Sequence, residues 1–173
     1  MPPDQTSDPR IPARDACVLR YALDKFAELV PDRVYADFDG DSQWTYRETP
    51  RRARRTAAAL ARLGVRRGSH VAVWLSGGPD VLQAMLAINY LGAVYVPFNT
   101  AYRGQLLAHV IENSDAEVLV TARSFLPRLS EVALASLRVA IVVDVEQVVP
   151  AGHTLNLDIL GRSEFESDDP LPE

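Results

Sequence analysis

Between residues 70 and 143 the chain alternates short apolar runs with longer amphipathic stretches, and that alternation leaves few folds open. The runs are HVAVWL (70–75), AVYVP (93–97), EVLVT (117–121) and VAIVV (139–143). Each is continuously apolar instead of alternating with polar residues, the pattern of strands covered on both faces. Residues 79–91, 103–113 and 124–137 read as helices. Successive β-α-β units build a parallel sheet with helices on both sides, because each crossover returns over one face of the sheet. The predicted fold class is therefore α/β.

The part before residue 70 adds a flank. Residues 1–16, with four prolines in PPDQTSDPRIP and few large apolar groups, read as a disordered or draped arm. From residue 17 to 30, Val18, Leu19, Ala22, Leu23, Phe26, Leu29 and Val30 share one helix face, and Pro31 closes it. VYADF and SQWTY are short strands joined by DGD, a hairpin near residues 34–46, since Asp-Gly accepts the positive backbone angles of a tight turn. Thr45 and Glu48 form a capping box for a helix that stops at Gly64. Pro50 removes a hydrogen bond if it lies past the first turn, which places the start later than the box implies. Arg47, Arg51, Arg52, Arg54, Arg55 and Arg62 make this helix basic; it is either an anion-binding surface or a solvated face opposite Ala57, Leu60, Ala61 and Leu63. Residues 17–149 read as one α/β unit and 150–173 as an irregular acidic tail.

Composition removes several function classes. At 173 residues, 47% apolar and 24% charged, the chain can bury a core of its own. A net charge of −5 argues against nucleic acid or an anionic membrane as partner, since both attract basic surfaces. Cys17 is the only cysteine, which excludes a disulfide framework and a thiolate zinc site and fits a reducing, cytoplasmic setting. The polar N-terminus lacks a signal sequence's apolar core. The most apolar window, 81–98, carries Gln83 and Asn89 and is broken by Gly92 and Pro97, so no membrane span is expected.

The loop SGGP (76–79) follows the first parallel strand and opens a helix, where nucleotide folds hold phosphates. A dinucleotide fingerprint needs G-x-G-x-x-G and a ribose acid about 20 residues on. Here Gly77 and Gly78 are adjacent, no third glycine follows in place, and position 98 is Phe98. No Gly-Lys pair exists for a Walker loop. The loop is read as a turn. His70, His109 and His153 show no ligand spacing, Ser76 lacks the G-x-S-x-G of a nucleophile elbow, and Asp168 and Asp169 are solvated. No catalytic or metal-binding residue emerges.

The order QWTYRE, then an alanine-rich helix, LGVRRGSHVAV, LGAVYVPFN and AEVLVTA, resembles the opening of the adenylate-forming superfamily, the acyl-CoA synthetases and AMP-dependent ligases. Thr45, Tyr46, Glu48, Leu63, Gly64, Val65, Gly68, the run 92–97 and Asn99 fall in register with that family's pattern, over about residues 30–145. FNTAYRGQLLAHVIENSDA is similar to the carnitine/crotonobetaine-CoA ligase branch.

The resemblance implies the N-terminal subdomain of an ATP-dependent acid–CoA ligase, which joins a carboxylate to AMP and then passes the acyl group to CoA. It implies that residues 17–149 are an incomplete N-terminal adenylation subdomain. ATP, Mg²⁺ and CoA are expected for the complete enzyme and none is expected to bind this segment tightly. The family's Ser/Thr/Gly-rich phosphate loop, its adenine motif, ribose aspartate, hinge and catalytic lysine occur nowhere in residues 1–173. The tail is expected to lead to that missing loop, with the remainder of the ligase in the same or another chain. Arg103 and Tyr102, just past a strand's carboxyl end, are the candidates for a CoA contact, against the reading of Arg103 as a surface residue opening a helix. The rival expectations are a naturally short module that complements a separate nucleotide-binding chain, and a divergent dinucleotide-binding domain.

Overall fold

A computed structural model describes residues 18–39, 42–134, 136–146 and 157–171. The arm 1–16, Cys17, the Gly40–Asp41 turn, His153 and the first residues of the tail lie outside these. Helix α1 (Leu19–Leu29) leads to the antiparallel hairpin β1 (Val34–Phe38) and β2 (Ser42–Thr45) and to α2 (Glu48–Arg62). The βα units follow as β3 (His70–Trp74), α3 (Pro79–Tyr90), β4 (Val94–Pro97), α4 (Gly104–Ser114), β5 (Val118–Thr121), the short α5 (Leu126–Leu129), β6 (Val139–Val142) and β7 (Asp158–Leu160). The five later strands form one sheet in the order β4-β3-β5-β6-β7, every pair parallel.

Burial explains why the strand runs show no alternation. Val71 and Val73 of β3 join Val118, Val120 and Ile141 in a core beneath α2 and α3, with Leu60, Ala84, Ala87 and Ile88. Ala72 and Trp74 point to the other face and pack with Leu119, Ala140, Leu107, Ile111, Phe125 and Leu129 under α4 and α5. Both faces of β3, β5 and β6 are covered, so both parities along them are apolar, whereas the edge strand β4 is only partly covered and leaves Val94 exposed.

The helix ends follow their residue chemistry. The capping box forms reciprocally: Thr45 N–H donates to Glu48 Oε2 at 3.0 Å and Glu48 N–H to Thr45 Oγ1 at 3.2 Å. Those Thr45 hydrogen bonds hold the Glu48 carboxyl below its ordinary pKa. Pro50 does not delay α2; it is the third helical residue, where a backbone N–H would have no intrahelical acceptor. Gly64 ends α2 at φ +90°, with its N–H on Ala61 O and that of Val65 on Leu60 O, a Schellman closure.

Two stretches differ from expectation. Residues 124–137 do not form one helix; a 3-10 turn (Arg123–Phe125) and the four-residue α5 are followed by turns. Ser130 Oγ donates to Pro127 O at 2.7 Å, a local bond that competes with helix propagation. The C-terminal stretch is not irregular throughout. Asp158–Leu160 adds the fifth strand beside β6, and Phe165 is fully buried among the core residues under α2 and α3. A three-residue strand and one aromatic are too short to stand out as a pattern.

Arg20 of helix α1 bonds Asn89 of α3, and one acid of α1 reaches both α2 and α3. Asp24 accepts from the Tyr90 hydroxyl and from Arg54 at 2.7 Å. Burial, followed by the Asp24 hydrogen bond and charge, raises the Tyr90 pKa well above the tyrosine range. The folded chain thus keeps a proton that the unfolded chain gives up above about pH 10. This contribution is complete below about pH 10 and is lost as pH rises further, because the unfolded state then binds fewer protons. Urea midpoints should fall from about pH 9 to about pH 11, and fall less steeply for Tyr90→Phe. Equal slopes would remove Tyr90 from the account.

Candidate functional site at the carboxyl end of the sheet

After β3 the chain passes first to β4 on one side and then to β5 on the other. Such a reversal parts the loops beyond the strands' carboxyl ends and opens a crevice where open α/β sheets receive ligands. The loops concerned are 75–78 after β3, 98–103 after β4 and 122–125 after β5.

Loop 98–103 is held from several directions. Phe98 is buried, and its N–H bonds Val73 O at 2.9 Å. The Trp74 indole N–H donates to Asn99 O at 3.1 Å, while Asn99 Oδ1 accepts Ala101 N–H at 2.8 Å. Arg128 donates to Thr100 O at 2.6 Å, and its guanidinium lies 5.1 Å from the Phe125 ring centroid and 5.7 Å from that of Trp74. Trp74 and Phe125 stack with centroids 4.7 Å apart. This frame presents the half-buried Tyr102 and the exposed Arg103, which stands at the N-cap position of α4 without a side-chain capping bond. Arg103 makes no ion pair among the described residues. The sequence pointed to Tyr102 and Arg103; it gave no signal for Arg128, whose role depends on an aromatic pair brought from β3 and the β5 loop.

The glycine loop is built as a turn. Gly77 and Gly78 have φ of +121° and +86°, so glycine is required there for backbone reasons alone. Asp80 occupies the first turn of α3 and pairs with Arg162, which also donates to Val143 O at 3.2 Å. A carboxylate already sits where a triphosphate would seek positive potential. The residues present do not fit an ATP phosphate site. Among the described residues no group of three or more His, Cys, Asp or Glu is placed to hold a metal ion.

Four of the six arginines on and just before α2 meet the chain's own acids. Arg47 pairs with Asp32, Arg54 with Asp24, Arg55 with Glu166 and Asp168, and Arg62 approaches Asp169 at 3.8 Å. Arg52 lies over Trp44. Asp168 and Asp169, read from the sequence as solvated, thus meet partners while staying exposed.

The two described histidines stand elsewhere. His70 Nδ1 lies 2.7 Å from Ser114 O, beside a cleft of about 200 Å³ lined also by Gly64, Asp115 and Glu117. That cleft is at the strands' amino ends, away from the crevice. His109 is exposed on α4 with Asn113.

An open parallel sheet flanked by helices, with the loops parting beyond its carboxyl end, defines an α/β subdomain. The sequence profile described as "AMP-binding enzyme" matches residues 23–170, and the chain belongs to that family. It is 37% identical over 103 residues to a 2-succinylbenzoate–CoA ligase from Oceanobacillus iheyensis, covering 60% of this chain and 22% of that protein. Identity to a crotonobetaine/carnitine–CoA ligase from Salmonella paratyphi A is 30% over 118 residues, 66% of this chain and 23% of the other. The solved structure of a candidate long-chain-fatty-acid–CoA ligase from Rhodopseudomonas palustris superposes with a TM-score of 0.74 at 23% identity, over 90% of this chain and 38% of that one. The chain thus spans 22–23% of the length of these two ligases. The fold matches the N-terminal subdomain expected of adenylate-forming enzymes. No helix among the described residues is long and apolar enough to cross a membrane.

Proposed function

We propose that this chain is the N-terminal portion of an ATP-dependent acid–CoA ligase working in the cytoplasm. In that reaction a carboxylate attacks ATP to give an acyl-adenylate and pyrophosphate, and the CoA thiol then displaces AMP. The observation that carries the reading is the family match over residues 23–170, joined to relatives named as CoA ligases. Adenylation needs oriented cations and donors around the triphosphate. Asp80 and its Arg162 partner make the glycine loop unsuited to that task, so ATP and Mg²⁺ fall to residues outside 1–173 and this segment alone forms no adenylate.

The role left to this segment is a wall of the crevice. Arg103, a cation without an ion pair among the described residues at the carboxyl end of β4, is the group suited to a CoA phosphate, with Tyr102 beside it. In a ligase containing this segment, Arg103→Ala should raise KM for CoA about tenfold, the effect of losing one hydrogen bond to a charged group, and leave KM for ATP alone. An unchanged KM for CoA would remove Arg103 from the site.

The deciding experiment is ATP–pyrophosphate exchange with a panel of carboxylic acids, on the gene product purified from its own cells and on residues 1–173 alone. Exchange by the first and none by the second is expected. Exchange by residues 1–173 alone overturns the placement of the nucleotide site, and none in either overturns the ligase reading.

A further inference from the structure

We infer that Arg55, Thr56 and Gln83 form a carboxylate-binding socket between α2 and α3, and that Glu166 is its ligand in cis, fastening residues 166–171 along α2 as a strap. The inference is independent of the ligase reading.

Gln83 carries the argument. It is 1% exposed, and its Nε2 donates to Thr56 Oγ1 at 2.7 Å and to Glu166 Oε1 at 2.8 Å. Its own Oε1 is buried with no hydrogen-bond partner among the described residues. Turning the amide over would let Thr56 donate to that oxygen but would set it against the Glu166 carboxylate. The observed orientation leaves an acceptor unmet in order to aim both hydrogens at acceptors, one of them charged. The amide is therefore oriented by the negative charge it receives.

Arg55 completes the socket, reaching Glu166 Oε2 at 3.1 Å and Asp168 with its Nε at 2.9 Å. The Arg55 carbonyl accepts Ser167 N–H at 3.0 Å, which ties the strap's backbone to the helix at the same residue. The side chains of Asp168 and Asp169 are 89% and 60% exposed, and pairs so wet hold little. The Glu166 side chain is 22% exposed and has two partners, so it is the acid that decides the strap's position. Phe165, next to it, is fully buried and Leu171 packs against the same core, but apolar burial is non-directional and does not by itself fix the path of the residues between them. One carboxylate in an amide–guanidinium socket selects the path along α2.

Hydrogen exchange on the full chain tests the strap. In Glu166→Ala the Ser167 amide should exchange about tenfold faster or more, while the Leu119 and Val120 amides of β5 keep their protection, which excludes general unfolding. Glu166→Gln keeps the volume, removes the charge and should accelerate Ser167 several-fold. Unchanged Ser167 exchange in both variants would mean that the apolar anchors Phe165 and Leu171 place the segment, and would overturn the strap. The socket has its own test. Sodium acetate should raise the melting temperature of Glu166→Ala above that in sodium chloride of equal ionic strength, and should leave the unsubstituted chain at its chloride value. Equal effects of the two salts on the variant would show screening without carboxylate recognition, and would overturn the socket.

Discussion

Phe165→Ala is expected to destabilise the chain by about 3–5 kcal/mol, the usual range for removing a fully buried aromatic ring. The size is notable because Phe165 lies in a stretch whose sequence looks like solvated tail. Its ring is 0% exposed and joins the core with Val73, Ala84, Ile88 and Val143, while the Arg162 guanidinium stands 5.5 Å from its centroid. Truncation would open a cavity where α2, α3 and the sheet converge, a site that cannot collapse without moving one of them. Urea unfolding followed by tryptophan fluorescence measures the loss. A cost below about 1 kcal/mol would mean that this segment is a surface attachment and that the subdomain is complete without it.

That prediction marks where sequence reading stopped. The runs of β3, β5 and β6 were legible because burial on both faces leaves an uninterrupted apolar signature of four or five residues, while the partly exposed edge strand β4 was legible from its β-branched and aromatic residues. Strand β7 was not, because three residues beside a single neighbour, β6, carry too little pattern. The helix expected over 124–137 had suitable apolar spacing, but Ser130 and Pro127 satisfy each other locally, and Phe125 and Leu129 reach the core from short turns. At the candidate site the order of strand and loop was enough to place Tyr102 and Arg103 at the carboxyl end of β4. The supports behind them were not readable. Trp74 and Asn99 are 25 residues apart, Arg128 and Thr100 are 28, and no local period links them. The basic helix shows the same limit in reverse. Its charge was plain, and the open alternatives were an external anion or water, yet many of its arginines hold acids from both ends of the described chain.

The second large effect is expected at Trp74, where stability and the crevice meet. Trp74→Ala should cost about 3–5 kcal/mol, since the indole is fully buried and stacked on Phe125. For a chain of this size that lowers Tm by roughly 6–20 °C. Trp74→Phe separates two contributions: the stacked ring is largely kept, but the Asn99 carbonyl loses its indole donor. The Asn99 turn then rests on Ala101 and Tyr102, and Arg128 retains its bond to Thr100. Trp74→Phe should therefore cost less than Trp74→Ala while still loosening residues 98–103, seen as faster hydrogen exchange at Ala101 and Tyr102. Under the proposed reading the Arg103 loop meets CoA and ATP is held outside this segment. In a ligase containing the segment the same variant should then raise KM for CoA with little change for ATP, because the loop carrying Arg103 is loosened. Equal KM effects on both substrates would mean that Trp74 stabilises the whole subdomain instead of aiming one loop. Unchanged exchange at Ala101 and Tyr102 would show that the cation–aromatic frame of Arg128 and Phe125 holds the loop without the indole bond.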